Sequence, residues 1–202
     1  LAVSGQSRVR FEHLDEQYRA SSDGSDHALM LRTLLKAELR LEALGFVLEL
    51  QDSRVNLADS ATPLTTSSVN PLDVLRAYAE ISSEDLFTAG SSSRLRVGRI
   101  TIDVGSRRLV ARIRFRNTLN AFTGVDWQWI GKDEQQLRLF YTLPIQRRVD
   151  GSVLDNNPKA DRADSDISFW GAYYAPAQMP WGDEGEAYLF GLDEQDVSGR
   201  AT

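Results

Sequence analysis

No cysteine occurs among the 202 residues. That absence excludes a disulfide framework and a thiolate metal site. No run of about 18 apolar residues is present either, so no transmembrane helix is available. The opening stretch, LAVSGQSRVRFEHL, lacks a basic region followed by an apolar one. The chain is therefore expected to be either not exported or already relieved of a signal, and its start at Leu1 rather than Met favours a processed or trimmed chain. Histidine appears twice, as His13 and His27, without the spacing of metal ligands. There is no glycine-rich phosphate loop and no recognisable Ser/His/Asp set. Catalysis, a metal and a cofactor are consequently not expected. The acid-rich stretch DNNPKADRADSD, residues 155–166, lacks the Gly and Glu positions of a calcium loop and reads as solvated.

Lysine is nearly missing as well. It occurs only at 36, 132 and 159, so twenty of the 23 basic residues are arginine. Arginine offers a planar fork of donors matched to carboxylate and phosphate, whereas lysine is a point charge. The formal net charge of −6 hides an uneven distribution, because many acids sit in turn-like stretches such as SSDGSD, GKDE and LDEQD. Residues 94–116, RLRVGRITIDVGSRRLVARIRFR, hold eight arginines and one acid, Asp103.

Several segments alternate with a period of two, the signature of strands with two unlike faces. In residues 27–43 the set Leu29, Leu31, Thr33, Leu35, Ala37, Leu39, Leu41 is largely apolar, and the intervening set Arg32, Leu34, Lys36, Glu38, Arg40, Glu42 is mostly charged. Val9 and Phe11 alternate with Arg8, Arg10 and Glu12. Leu75, Ala77, Ala79 and Ile81 alternate with Arg76, Tyr78 and Glu80. Leu137, Leu139, Tyr141 and Leu143 alternate with Arg138, Phe140 and Thr142. Residues 27–44 are also rich in good helix formers, yet a helix would need apolar residues at i+3, and the alternation fits better. Nine strands are predicted: 6–19, 27–43, 45–54, 72–82, 93–104, 108–130 with a possible break, 135–144, 166–175 and 186–194. Long and short connections roughly take turns between them, as in a meander with one elaborate and one plain end.

Such alternation suits a soluble sandwich whose outer face meets water. Three features point instead to a membrane barrel. The polar face is built of Arg and Glu rather than Lys. The strands are near the roughly 9–11 residues that a tilted membrane strand needs, against a usual mode of about 5–6. Aromatics (Trp127, Trp129, Trp170, Tyr173, Tyr174, Trp181) gather towards strand ends, where interfacial rings sit well. The fold class expected is all-β, an antiparallel up-and-down meander forming part of a transmembrane outer-membrane β-barrel, with residues 1–202 as a single domain.

Residues 76–129 carry a resemblance. Tyr78 is followed by Gly98 and Arg99, then by Gly105, Arg107, Arg108 and Leu109, then by Phe115, Arg116, Asn117 and Thr118, with Ala121, Phe122, Gly124 and Val125 closing the run. This pattern resembles the alginate export family of outer-membrane β-barrel porins over about a quarter of the chain. Phe115 stands where a Trp is common, Thr123 where an Asp is common and Val104 where an aromatic is expected. The family's barrels have strands in the upper teens, so the resemblance implies that the chain is an N-terminal portion of a larger barrel.

The resemblance implies a channel in the outer membrane of a Gram-negative bacterium. It would be passive and anion-selective, serving export or diffusion of an alginate-like anionic polysaccharide or small anionic solutes. The apolar set Leu31, Leu35, Leu39, Leu75, Ala77, Leu137 and Leu139 would meet outer-membrane lipid. Arg10, Arg32, Arg40, Arg76, Arg96, Arg99, Arg112, Arg114, Arg116 and Arg138 would line the water-filled lumen, where guanidinium can bind carboxylate bidentately and several weak sites in series permit passage. Arg96 and Arg99 differ in parity, so both can face inward only if Gly98 sits at a bulge or bend. The loops at 55–71 and 145–165 are expected outside the cell, and 43–45, 131–134 and 176–185 on the periplasmic side. Periplasmic export components are possible partners, and nucleic acid is not. The alternative is a soluble β-rich module that binds a polyanion.

Overall fold

The computed structural model describes residues 1–15, 25–59, 62, 64–148, 155–178, 182 and 185–195. Among these the chain is all-β, apart from one three-residue 3-10 turn, Thr66–Ser68. The strands are β1 (Ala2–Asp15), β2 (Ser25–Leu41), β3 (Leu44–Asn56), β4 (Asn70–Glu84), β5 (Ser92–Ile100), β6 (Phe122–Ile130), β7 (Gln136–Gln146), the two-residue β8 (Arg162–Ala163), β9 (Ile167–Ala175) and β10 (Ala187–Glu194). They form one antiparallel meander in the order β1-β2-β3-β4-β5-β6-β7-β9-β10, with β8 paired to β7. No partner is recorded on the far side of β1 or β10 among the described residues, so the sheet is not closed.

Alternation produces this sheet directly. On β2, Ala28, Met30, Arg32 and Leu34 are buried, whereas Leu35, Leu39 and Leu41 are exposed. On β3, Val47, Glu49, Gln51, Ser53 and Val55 are buried, and Phe46 and Leu48 are exposed. The exposed apolar set continues through Val9, Phe11, Val97, Val125, Leu139, Tyr141 and Leu189, and no second sheet covers it among the described residues. A continuous apolar face of this width is what a lipid-facing wall requires. A soluble two-layer sandwich would need a second apolar face packed on this one, and the described residues form a single sheet.

The helical alternative for residues 27–44 is not adopted, because β2 and β3 form a hairpin with a two-residue turn, Glu42-Ala43, two residues before the Leu44-Gly45 turn expected from the sequence. The connections alternate as expected. Segments 42–43, 85–91, 131–135 and 176–186 are at one end, and 57–69, 101–121 and 147–166 at the other. The part of the first predicted strand at 16–19 lies outside the described residues.

Two expectations need correction. Leu75 was expected on the outer face, but it is 2% exposed and packs with Leu34, Leu119 and Ala121. The register of β3 with β4 shifts between Glu49 and Leu50, and the extra residue of this bulge turns Leu75 inward while Arg76 keeps its place opposite Glu49. The larger correction concerns 101–121. The predicted strand over 108–130 is a strand only from Phe122, and β5 ends at Ile100. The chain between them leaves the sheet and crosses one of its faces, here termed the inner face.

Candidate functional site: an arginine wall crossed by an inward segment

The inward segment is fixed at three places. Its first limb is apolar: Ile102 and Val104 pack with Ile100, Phe140 and Tyr173, joined by Phe122, Phe169 and Phe190. A turn follows, closed by Val104 N–H donating to the Val110 carbonyl at 3.0 Å. At its tip Gly105 has φ +47, and a Cβ there would come within 2.6 Å of Tyr173 and Glu186, so the tip abuts the β9–β10 wall. Ser106 Oγ adds a hydrogen bond to Glu186 Oε2 at 2.8 Å. The second limb returns to the opposite wall. The Arg114, Phe115 and Arg116 carbonyls accept hydrogen bonds from Arg8, Arg10 and Arg32 on β1 and β2. The third fixture is Asn117, 2% exposed, whose Nδ2 donates to the carbonyls of Leu31, Arg54 and Ser68. Its own carbonyl accepts from Ser53 Oγ at 2.7 Å. Twenty-one residues thus span the inner face from β9–β10 to β1–β2.

Beneath this segment the inner face is a network of arginines sharing too few acids. Glu49 accepts from Arg76 Nε at 2.5 Å and from Arg112 Nη2 at 3.1 Å. Asp126, fully buried, accepts from Arg96 Nη2 at 2.6 Å and from Arg138 Nε at 2.5 Å. Glu80 lies 3.4 Å from Arg40 and 3.8 Å from Arg94. Each of these three acids therefore serves two guanidiniums and leaves one positive charge over. Arg99 behaves differently, meeting Asp73 at 2.5 Å and Asp161 at 3.8 Å.

Asp161 belongs to the acid-rich stretch read as solvated, yet its carboxylate is fully buried, taking hydrogen bonds from Asn70 Nδ2 at 2.8 Å and Arg148 N–H at 2.9 Å. Burial, together with the nearby Asp73 charge, raises its pKa above the ordinary carboxylate range. Arg147, on the same connection, donates to Thr118 Oγ1 at 2.7 Å, and burial lowers its pKa.

Two cavities flank the segment. One, of about 270 Å³, is lined by Arg32, Lys36, Arg76, Arg112 and Arg114 with Glu49 as the single acid. The other, of about 260 Å³, lies at the long-connection end between Asn70, Asp73, Arg99, Asn120, Arg147 and Asp161.

Of the ten arginines singled out in the sequence, Arg10, Arg32, Arg40, Arg76, Arg96, Arg99 and Arg138 lie on strands and direct their guanidiniums to inner-face partners. Gly98 shows no bulge. It keeps register with Tyr78 and Gly124, and its φ of +131, with a Cβ position only 2.4 Å from the Ala77 carbonyl, reserves the site for glycine. Arg96 and Arg99 therefore keep opposite parity in the sheet; Arg96 faces inward to Asp126, and Arg99 reaches Asp73 and Asp161 although its backbone position pairs with outward Ala77. Arg112, Arg114 and Arg116 were placed on a strand and are not on one; they ride on the inward segment, with Arg114 and Arg116 exposed.

Sequence reasoning passed over Asn117, Asp73, Glu49 and Asp126 as parts of the network, and also Arg94 and Arg8. Arg8 shares its parity with Arg10, which was a usable signal. Asp126 was visible as the lone acid among Trp127, Trp129 and Val125.

No curated protein and no solved structure matches the chain at a significant level. A family model does: that for alginate export matches residues 1–200. With nearly the whole sequence matched, and with a single all-β meander whose exposed face is apolar, the chain belongs to the alginate export family, a family of outer-membrane β-barrel transport proteins.

Proposed function

We propose that this chain supplies the N-terminal part of a barrel through which an anionic, alginate-like polysaccharide crosses the outer membrane of a Gram-negative bacterium passively, guided by arginines on the inner face. The observation that carries this reading is the ratio within the network. Glu49, Asp126 and Glu80 each neutralise one of two arginines, which outweighs the one excess acid around Arg99, so this network is positive on balance in a chain of net charge −6. A positive corridor with low-dielectric walls concentrates anions. Guanidiniums on strands about 4.8 Å apart lie within reach of successive carboxylates on one polymer, and partial neutralisation keeps each site weak enough to release them. Small anionic solutes would use the same path. Further strands beyond β1 and β10 would close the barrel, outer-membrane lipid would cover the apolar face, and periplasmic export components would meet the short-connection end.

Planar-bilayer conductance of the full-length protein tests this. Arg114→Glu with Arg116→Glu changes two exposed side chains while leaving the main-chain carbonyls of the inward segment in place. The reversal potential is expected to move towards cation preference, and block by an oligouronate is expected to weaken. Unchanged selectivity together with unchanged block would remove these arginines from the pathway.

A further inference from the structure

Arg8, Arg10 and Arg32 differ from the other inner-face arginines in what they hold. The register of β1 on β2 sets Arg8 directly opposite Arg32, with Arg10 one inward position along. Like charges directly opposite across strands are unfavourable. Arg32 is 5% exposed, and Arg8, Arg10 and Arg112 add charges of its own sign around it. The acid here is Glu12, 2.8 Å from Arg10; neither Arg8 nor Arg32 has a carboxylate within ion-pair distance among the described residues.

Their guanidiniums instead grip main chain. Arg8 donates to the carbonyls of Arg114 at 2.9 Å, Phe115 at 3.1 Å and Arg116 at 2.9 Å. Arg10 donates to Phe115 at 2.8 Å. Arg32 donates to Arg114 at 3.1 Å and Arg116 at 2.8 Å. The Nε–H groups of Arg8 and Arg32 are buried without a partner among the described residues. Three cations thus converge on three neutral oxygens. A carboxylate adds the Coulomb attraction of a full opposite charge and a bidentate match to guanidinium, so carboxylate oxygens would bind here more strongly than the neutral carbonyls that occupy the place.

The stretch that supplies those carbonyls is held to the wall by these arginine–carbonyl bonds and the Arg10–Phe115 contact, while its side chains are exposed. Ile113, Arg114, Phe115 and Arg116 are exposed, Phe115 to 75%, and none of them is in a strand. Both flanks are firm. Arg112 N–H donates to Asp103 Oδ1 at 2.6 Å, its guanidinium meets Glu49, and Asn117 is tied to three main-chain carbonyls. What holds residues 113–116 between these flanks is thus the grip of Arg8, Arg10 and Arg32 on their carbonyls.

We propose that residues 113–116 are a built-in competitor for a carboxylate site formed by Arg8, Arg10 and Arg32. A polyuronate entering the barrel displaces the Arg114, Phe115 and Arg116 carbonyls, and the limb lifts from the β1–β2 wall only when the polymer is present. This inference rests on the polysaccharide reading above and adds to it a gate that the cargo itself opens.

The reporter is Ile113→Cys, which leaves the Phe115 ring over Arg10 undisturbed; these 202 residues contribute no other thiol, and any cysteine elsewhere in the full-length protein is replaced by serine. Thiol-labelling rate is measured in the full-length protein in lipid vesicles against increasing oligouronate, with a neutral oligosaccharide of equal length as control, and current block is recorded in parallel. The rate is expected to rise about tenfold over the concentrations that block current, equivalent to about 1.4 kcal/mol of docking free energy, and to stay flat with the neutral oligomer. Adding Arg8→Gln is expected to give the fast rate without any ligand. Block of current with an unchanged labelling rate would overturn the gate and leave the transport reading standing. Absence of both block and labelling change would overturn the two together. The ligand arm uses the unaltered arginine wall and is decisive whether or not the Arg8→Gln protein folds.

Discussion

Asp126→Asn should be among the most damaging single substitutions in this chain, despite its near-identical shape. Asp126 is fully buried, and its two partners are almost as enclosed, the Arg96 side chain being 11% and that of Arg138 6% exposed. One carboxylate oxygen takes both Nε and Nη2 of Arg96, and the other takes Nε of Arg138. Asparagine keeps one acceptor but turns an NH2 group towards a guanidinium, and two buried cations lose their shared counter-charge. Removing one member of a buried ion pair costs about 3–5 kcal/mol, and the second stranded arginine places the loss at the upper end of that range. Urea unfolding of the full-length protein in lipid vesicles, followed by tryptophan emission, would read it, since Trp127 adjoins the site. Adding Arg138→Gln removes the surplus charge and should recover part of the loss, because residues of one network couple by about 0.5–3 kcal/mol. A loss below about 1 kcal/mol for Asp126→Asn, the level of an exposed pair, would show that water screens the triad and would refute the argument from burial.

Neighbouring residues on β7 test the two faces of the sheet. Leu139→Arg places a charge on the apolar face at a cost of about 2–4 kcal/mol near mid-membrane and should impair vesicle folding well beyond Arg138→Ala; equal yields would contradict the assignment of faces. The raised pKa of Asp161 gives a pH dependence of defined sign. A carboxyl that holds its proton more tightly when docked favours docking at low pH and loses that contribution as pH rises through its raised value. Protease protection of the 147–161 connection should therefore increase on acidification from neutral pH, and Asp161→Asn should flatten the profile. Protection that decreases over the same range would reverse the sign.

Local chemistry alone determined the strands and their faces. Alternation of Leu with Arg and Glu along 27–43, or of Leu with Arg, Phe and Thr along 137–143, has one low-energy backbone: a strand with one apolar and one charged surface. The preference for arginine over lysine was equally visible, as was the family pattern in 78–125. Tertiary structure decided the rest. Residues 112–116 alternate as cleanly as any strand, yet the pairing of Ile100 with Phe122 leaves them no neighbouring strand, and arginines of β1 and β2 satisfy their carbonyls instead. Leu75 shares the outward parity of Ala77, but a one-residue bulge against Glu49 reversed it. Which arginine shares which acid depends on register between strands up to 40 residues apart, as for Arg40 and Glu80. Period-two patterning reports that a backbone has two faces; it carries no information about what lies across either face, and that contact made 101–121 an inward strap rather than part of the wall.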